Sequence, residues 1–391
     1  MTHLRPKSQG PLVGVRVVEL AALGPVPFAG MLLSDMGADV VRIDRADLSA
    51  TQRTRARNNV MNRGRRSVAL DLKSPRGQAA ARRMVDRADV LMEGFRPGVA
   101  ERLGLAPQQC LEANPRLVYG RMSGWGQTAP NRGEPGHDIN FLAASGLLDT
   151  IGTGDSGPVP PLMYLGDFAG GGLTLAFAIV SALVERNGSG RGQVIDASIL
   201  DGTAQLGIVV QGLLARGNWH PQRGTNAFDT GAPYYNVYAT RDGRYLAVGA
   251  VEPEFYANLL RVLELTDVPV DGQNDRSSWP VLKQRIAEVV RSRDLADWTV
   301  AFEGVEACVT PVLSVDEAMS DRRYHTPDAY VDYEGVRQSA PTPRFSRTPS
   351  GVHLPSPLPG EHSEQVLREY GFDDVDIVQL LDEAGPAVIR G

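Results

Sequence analysis

In Gly14-Val15-Arg16-Val17-Val18-Glu19-Leu20 and Gly37-Ala38-Asp39-Val40-Val41-Arg42-Ile43-Asp44, the β-branched runs Val15 to Leu20 and Asp39 to Asp44 read as strands, and Pro27 to Met36 between them reads as a helix. Strand, helix and strand in that order make a βαβ unit, because parallel neighbours need a crossover that returns to the same edge. Runs of the same kind follow at Ser67 to Leu72, Asp89 to Glu93 and Leu117 to Met122, and Ser74 before Pro75 opens a helix through about Arg87. The reading is an α/β fold with a parallel, Rossmann-type sheet. The turn after the first strand, Ala21-Ala22-Leu23-Gly24-Pro25-Val26-Pro27, lacks a GxGxxG run and places prolines where a pyrophosphate loop needs free amides. A nicotinamide or flavin dinucleotide site is therefore not expected, and no GxxxxGK[ST] run occurs either.

Further along, a glycine-rich start at Gly166 leads into an apolar helix through Val184. Gln193 to Ser198 reads as a strand entering a long helical pattern through about Arg216, and both helices are expected to be buried. The polar, glycine-rich stretch from Gly217 to Pro233 reads as a linker. Tyr234 to Thr240 and Arg244 to Ala250, joined by Arg241-Asp242-Gly243, read as a hairpin, with helices at about Glu254 to Leu263 and Pro280 to Arg291. The expected division is a large domain over 1–216, a linker over 217–233, a smaller α+β domain over 234–320, a proline-rich return linker over 321–360, and a helical part of the large domain over 361–391.

With 391 residues, 42% hydrophobic and 22% charged, the composition is that of a globular protein, and a formal net charge of -6 gives no global field for nucleic acid or an anionic membrane. The two cysteines, Cys110 and Cys308, have no partners at metal-ligand spacing, so neither a structural zinc site nor a disulfide scaffold is expected, and a reducing cytoplasm fits best. The polar N-terminus does not read as a signal peptide, and the longest apolar stretch, Gly170 to Val184, reads as too short and glycine-rich to span a bilayer. Only Lys7, Lys73 and Lys283 are lysines, a bias that points to codon usage and tempers any reading of arginine clusters.

Of six histidines, His3, His220, His325, His353 and His362 lie in polar or terminal segments, whereas His137 stands in Pro135-Gly136-His137-Asp138-Ile139-Asn140 where a loop enters an apolar run. The competing reading of that site is a helix start capped by Asp138. Asp167 lies among glycines in Gly166-Asp167-Phe168-Ala169-Gly170-Gly171-Gly172, which lets a ligand approach beside one carboxylate or, on the plainer reading, makes Asp167 an N-cap and the glycines packing contacts. Glu252 ends an apolar run before Pro253, and equally well opens a helix. One imidazole and two carboxylates at element ends form an acid/base set for neutral pH that needs no metal. Arg42, Arg45, Arg53, Arg55, Arg57, Arg63, Arg65 and Arg66 cluster near the carboxyl ends of early strands, as for a polyanionic small ligand or a solvated surface.

With these residues in hand, the chain resembles, over nearly its whole length, the family III CoA-transferase superfamily, and within it the racemases of 2-methylacyl-CoA thioesters. The motifs that carry the resemblance are Gly14 to Leu20, Gly37 to Arg45, Glu93-Gly94-Phe95-Arg96-Pro97-Gly98, Gly136 to Asn140, Gly166-Asp167-Phe168 and Gly249-Ala250-Val251-Glu252-Pro253. Family III transferases share the aspartate at 167 as a covalent nucleophile but typically carry tyrosine where this chain has His137, and Glu252 stands where the racemases place a third catalytic residue. Both departures favour the racemase.

The resemblance implies a Rossmann-like large domain, a small domain, and an interlocked homodimer in which His137 and Asp167 meet Glu252 of the partner chain. It implies interconversion of (R)- and (S)-2-methylacyl-CoA by 1,1-proton transfer through an enolate, with Asp167 on one face of the α-carbon and His137, oriented by Glu252, on the other. Amides at the helix start near Asp138 would face the enolate oxygen. CoA is part of the substrate and no further cofactor is required. Arg45, Arg96 and Arg102, with the backbone around Leu70 and Leu72, are the implied CoA contacts. The alternatives are a CoA transferase with Asp167 as nucleophile, and a catalytically silent CoA-binding or assembly protein.

Overall fold

A computed structural model describes residues 9–45, 56–57 and 59–385, so His3, Arg53 and Arg55 of the residues singled out above lie outside the described residues. The chain divides into two compact units: Met1–Ser145, Leu162–Leu206 and His325–Gly391 form the first, and Gly146–Pro161 with Gly207–Tyr324 form the second.

The first unit is built on β1 (Arg16–Leu20), β2 (Asp39–Asp44), β3 (Arg66–Ala69), β4 (Val90–Glu93), β5 (Val118–Ser123) and β6 (Gln193–Ser198). All neighbours pair in parallel, in the order β3-β2-β1-β4-β5-β6. Strands buried on both faces read as continuous apolar runs, which is why β1 to β5 are legible by composition. Alternate side chains then separate the layers. Val18, Val41, Val68 and Leu91 join Met84 and Val85 of α2 (Pro75–Val85) and a C-terminal pair of helices on one face. Val17, Val40, Val90 and Val118 join α1 (Pro25–Asp35) and α4 (Thr174–Ser189) on the other. Between α2 and α4 in the chain, α3 (Asp138–Ala144) is a short helix at the end of a long loop.

Several expectations are corrected in this unit. The helix expected from Gly166 begins at Tyr164 as a π-helical stretch through Leu173 and continues as α4, giving a 26-residue run that by length and composition is apolar enough to cross a membrane; 44% of its most apolar window is buried here. That run exceeds the Gly170 to Val184 stretch because Tyr164 to Ala169 before it and the polar Glu185 to Ser189 after it also take helical geometry. It is not wholly buried: Phe177 is 72% exposed, and Val184 is exposed as well. The pattern read as one helix to Arg216 is two, α5 (Ile199–Leu206) and α6 (Ile208–Ala215), and α6 buries none of its side chains. Within 321–360, read as a linker, β10 (Tyr330–Tyr333) and β11 (Val336–Ser339) form a hairpin, Gly351 and Leu354 make main-chain hydrogen bonds to Asp35 and Gly64, and the Gly360 N–H donates to the Ser67 hydroxyl.

The second unit holds an antiparallel sheet of β7 (Tyr235–Ala239), β8 (Tyr245–Gly249) and β9 (Val309–Pro311) in the order β9-β8-β7. Helices α7 (Pro253–Val262) and α8 (Trp279–Val290) cover it through a core of Leu246, Val248, Tyr256, Leu259 and Ile286. The stretch read as a linker, 217–233, is knit around buried Asp229, whose carboxylate accepts the N–H groups of Gly224, Asn226 and Gly231 and the Asn226 side-chain amide. Helices α9 (Ser363–Glu369) and α10 (Asp374–Ala384) close the first unit within the stretch read as helical, and Gly371 turns the chain between them at φ 81°.

Candidate active site

The carboxyl ends of β1, β4 and β5 open on a cavity of about 420 Å³ in the first unit. The strand order reverses between β1 and β4, and ligands of open α/β sheets bind in the crevice outside the strand ends at such a reversal. Its wall comes from residues 22–25 after β1, 94–97 after β4, 122–125 at the end of β5, the 134–137 approach to α3, and Asp167. His137 and Asp167, 30 positions apart in the chain, thus line one space.

Asp167 sits within the π-helical turn rather than at a helix N-cap, which is Met163. The glycines around it serve close packing: a Cβ on Gly170 would come within 2.6 Å of Thr203 Oγ1, and one on Gly172 within 2.6 Å of the Pro25 carbonyl oxygen. Phe168 stacks on Phe28 at 4.8 Å, and the Asp167 N–H donates to Asp138 Oδ1 at 2.7 Å. Gly24, at φ 67°, approaches so closely that its own Cβ would lie 2.6 Å from Asp167 Oδ2. Burial pushes the Asp167 carboxyl up to about 6; the Asp138 charge adds to the rise and His137 opposes it. A carboxyl that titrates near neutrality can both take and return a proton under ordinary conditions.

His137 is the N-cap of α3, exposed toward solvent, and its N–H donates to Asn140 Oδ1 at 3.0 Å. Asp138 therefore does not cap this helix: it is the first helical residue, buried, and its carboxylate is turned to the Asp167 amide instead. Glu252 belongs to the second unit, where it is the N-cap of α7 without a side-chain capping bond, and its charge adds to the rise that burial imposes on the Cys308 thiol.

The arginine cluster is largely structural. Arg65 and Glu19 are both fully buried and meet at 2.6 Å; Arg42 bridges Glu19 and Asp44; Arg63 grips Asp35; Arg66 spans Asp39 and Glu369; Arg57 meets Glu361. Carboxylates, mostly on neighbouring elements, pair with these five cations, which accounts for them as structural ion pairs rather than as a polyanion site. Arg45 is exposed at the end of β2, Arg96 lines the cavity, and Arg102 ends the short helix Val99–Arg102. Leu70 lies in the core and Leu72 packs against it, so neither side chain faces a ligand; the Leu70 N–H donates to the Asp44 carbonyl and the Leu72 carbonyl accepts from Gln78. Among the described residues no group of three or more His, Cys, Asp and Glu side chains is placed to hold a metal ion.

Gly24, Trp125 and Arg132 also line the cavity and escape a reading by motif. The Trp125 ring packs edge-on against Phe141 at 4.9 Å. The one local signal was the glycine before Pro25, which marks a turn without saying what it approaches.

Residues 12–363 match the model of CoA-transferase family III. Alpha-methylacyl-CoA racemase of Mus musculus is 47% identical over 94% of this chain and 96% of its own length, and the Homo sapiens racemase of that name is 42% identical over the same shares. Among solved structures, a CAIB/BAIF family protein from Brucella suis superposes with a TM-score of 0.80 at 25% identity, covering 93% of this chain and 100% of that one. A six-stranded parallel sheet with its cavity at the strand reversal, a matching family model and two full-length relatives lead to one assignment: the chain belongs to CoA-transferase family III.

Proposed function

We propose that this protein is an isomerase that interconverts (R)- and (S)-2-methylacyl-CoA thioesters, with coenzyme A as part of the substrate and no further cofactor. The observation that carries the reading is Asp167, raised to about 6, in one cavity with His137. Similarity to two racemases at 47% and 42% identity supports the choice of reaction over transfer of CoA to a second acid.

In one direction the Asp167 carboxylate takes the α-proton, the C–H electron pair moves into the thioester as an enolate, and His137 imidazolium returns a proton to the opposite face. In the other direction the roles exchange, since inversion requires a group on each side. First-turn amides of α3 beside Asp138 polarise the thioester oxygen, an effect worth roughly 10²-fold or more per well-placed donor. Arg45, Arg96 and Arg102, with the main chain at Leu70 and Leu72, hold the CoA moiety.

The same reading takes the first unit as a Rossmann-like large domain, and the second as the small domain of an interlocked homodimer in which Glu252 of one chain orients His137 of the other. The exposed apolar side chains of α4 and α6, among them Phe177, Val184, Ile208 and Val209, support a subunit interface, since soluble monomers rarely leave such surface uncovered.

The test is one epimer of a 2-methylacyl-CoA in heavy water without acceptor acid. The reading requires α-deuterium incorporation and convergence on both epimers. No exchange, together with acyl-CoA exchange once a carboxylic acid is added, would make Asp167 a nucleophile and the protein a transferase.

A further inference from the structure

The Glu93-Gly94-Phe95-Arg96-Pro97-Gly98 motif contributes only Arg96 to the reading above, yet its first residue is a fully buried acid directly behind the cavity wall formed by Gly94 to Pro97. Glu93 ends β4 with no exposed surface. Its Oε2 accepts the Phe95 N–H at 2.6 Å and its Oε1 accepts Arg121 Nε at 3.0 Å. Arg121, on β5, also reaches Glu101 at 2.9 Å through Nη2, and Glu101 stands in the short helix Val99–Arg102 just beyond the loop. The 94–98 loop is thereby tied at both ends, and Gly94 to Pro97 form cavity wall. Its first residue is wedged as well: a Cβ on Gly94 would come within 2.9 Å of Val26 Cγ2.

Such a network is a poor device for stability, since two charges taken from water recover their solvation only when geometry is excellent. Burial indeed raises the Glu93 carboxyl despite both of its donors. What the arrangement does well is fix a backbone. We propose that Glu93 and Arg121 are positioning residues that hold the 94–98 loop so that the Arg96 guanidinium is preset for the phosphates of the CoA thioester. This rests on the reading of Arg96 as a CoA contact.

Glu93→Gln is isosteric but turns one of two accepting oxygens into an amino group facing a donor, so either the Phe95 amide or Arg121 is released. In the full-length protein, calorimetric titration with free CoA is expected to show affinity weakened about tenfold, the loss of one charge-assisted hydrogen bond. KM for a 2-methylacyl-CoA should rise in parallel, with kcat within about twofold. Amide exchange over 94–98 should accelerate while β4 and β5 stay protected. Arg121→Lys, which keeps the charge but cannot fork between Glu93 and Glu101, should shift CoA affinity in the same direction by a smaller factor and serves if Glu93→Gln fails to fold. A purely structural role would lower the folded fraction, and kcat with it, leaving KM and CoA affinity of the folded protein unmoved; that result in both variants overturns the proposal. Arg96→Ala separates the two layers: if it leaves CoA affinity unchanged, the CoA reading of the loop fails and the proposal falls with it, whereas weakened binding there with intact binding in the Glu93 and Arg121 variants refutes the positioning role alone.

Discussion

Replacing Asp138 by asparagine isolates the charge that lies beside Asp167. Asparagine keeps an oxygen to accept the Asp167 N–H now held at 2.7 Å, so the backbone contact survives while one negative charge is removed. A carboxyl titrating at about 6 is roughly one tenth ionised at pH 5, whereas one at the ordinary 3.8 is more than nine tenths ionised there. Because the equilibrium between two epimers does not vary with pH, kcat/KM in the two directions shares one profile. Its productive form carries a single proton between Asp167 and His137, so the acid limb is the gain of a second proton and should fall near pH 6 in the unmodified protein. Burial is the larger cause of the raised value and Asp138 the next, so Asp138→Asn should move the acid limb down without reaching 3.8. At pH 5 the variant should retain a several-fold larger fraction of its plateau kcat/KM, up to about tenfold for each unit of displacement. The measurement is epimer interconversion from about pH 4.5 to 8 at constant ionic strength. An acid limb that stays in place or moves up refutes the electrostatic role of Asp138.

Asp167→Asn should abolish inversion and yet stabilise the fold at neutral pH. The folded carboxyl titrates about two units above the unfolded value of 3.8, so stability falls as pH rises from about 4 to 6, and above that window ionised Asp167, partly screened by solvent, costs on the order of 1 to 2 kcal/mol. Denaturant unfolding of both proteins at pH 4 and pH 8 should show the variant's advantage only at the higher pH. Gly24→Ala places a methyl 2.6 Å from Asp167 Oδ2 at a backbone φ of 67°, so kcat/KM should drop by about 10² or more while the protein still folds, checked by interconversion rate beside a thermal melt. If the sites are shared across a homodimer as proposed, Asp167→Ala protein refolded with Glu252→Ala protein should regain about a quarter of normal activity, because half of random dimers would be hybrids and each hybrid would rebuild one of its two sites. No recovery on mixing would place all three residues within a single chain.

The parallel sheet was legible because its strands are buried on both faces and composition alone reports that. β2 and β6 begin and end at the residues read, and the others differ by a few at their ends, where pairing rather than side-chain type decides. β9 escaped because three residues ending in proline carry no alternation, yet Val309 to Pro311 pair with Val248 to Leu246 as soon as the hairpin exists to receive them. The π-helical turn at Asp167 escaped for a different reason. Helix types differ in which carbonyl receives each amide, and that choice is made here by three glycines pressed against α1 and α5, a tertiary demand with no periodicity of its own.

The same division runs through the cavity. His137 and Asp167 stood out because each lies where a loop or a glycine run leaves a side chain facing open space, a local property. The arginines were misread because their role depends on the acids opposite: Arg65 is a core residue only by virtue of Glu19 on the neighbouring face of β1, and Arg63 by virtue of Asp35. Asp138 is the sharpest case. As a local choice it suits a helix start, where negative charge is favourable. As a tertiary choice it sets a second carboxylate against Asp167, 29 positions away, and adds to the rise that burial already imposes on that group. A side chain that satisfies its own helix while disfavouring the ionised form of its neighbour is not explained by stability. It is explained if the neighbour must hold and release a proton near neutral pH, and the conflict between the local and the tertiary demand is itself the mark of the site.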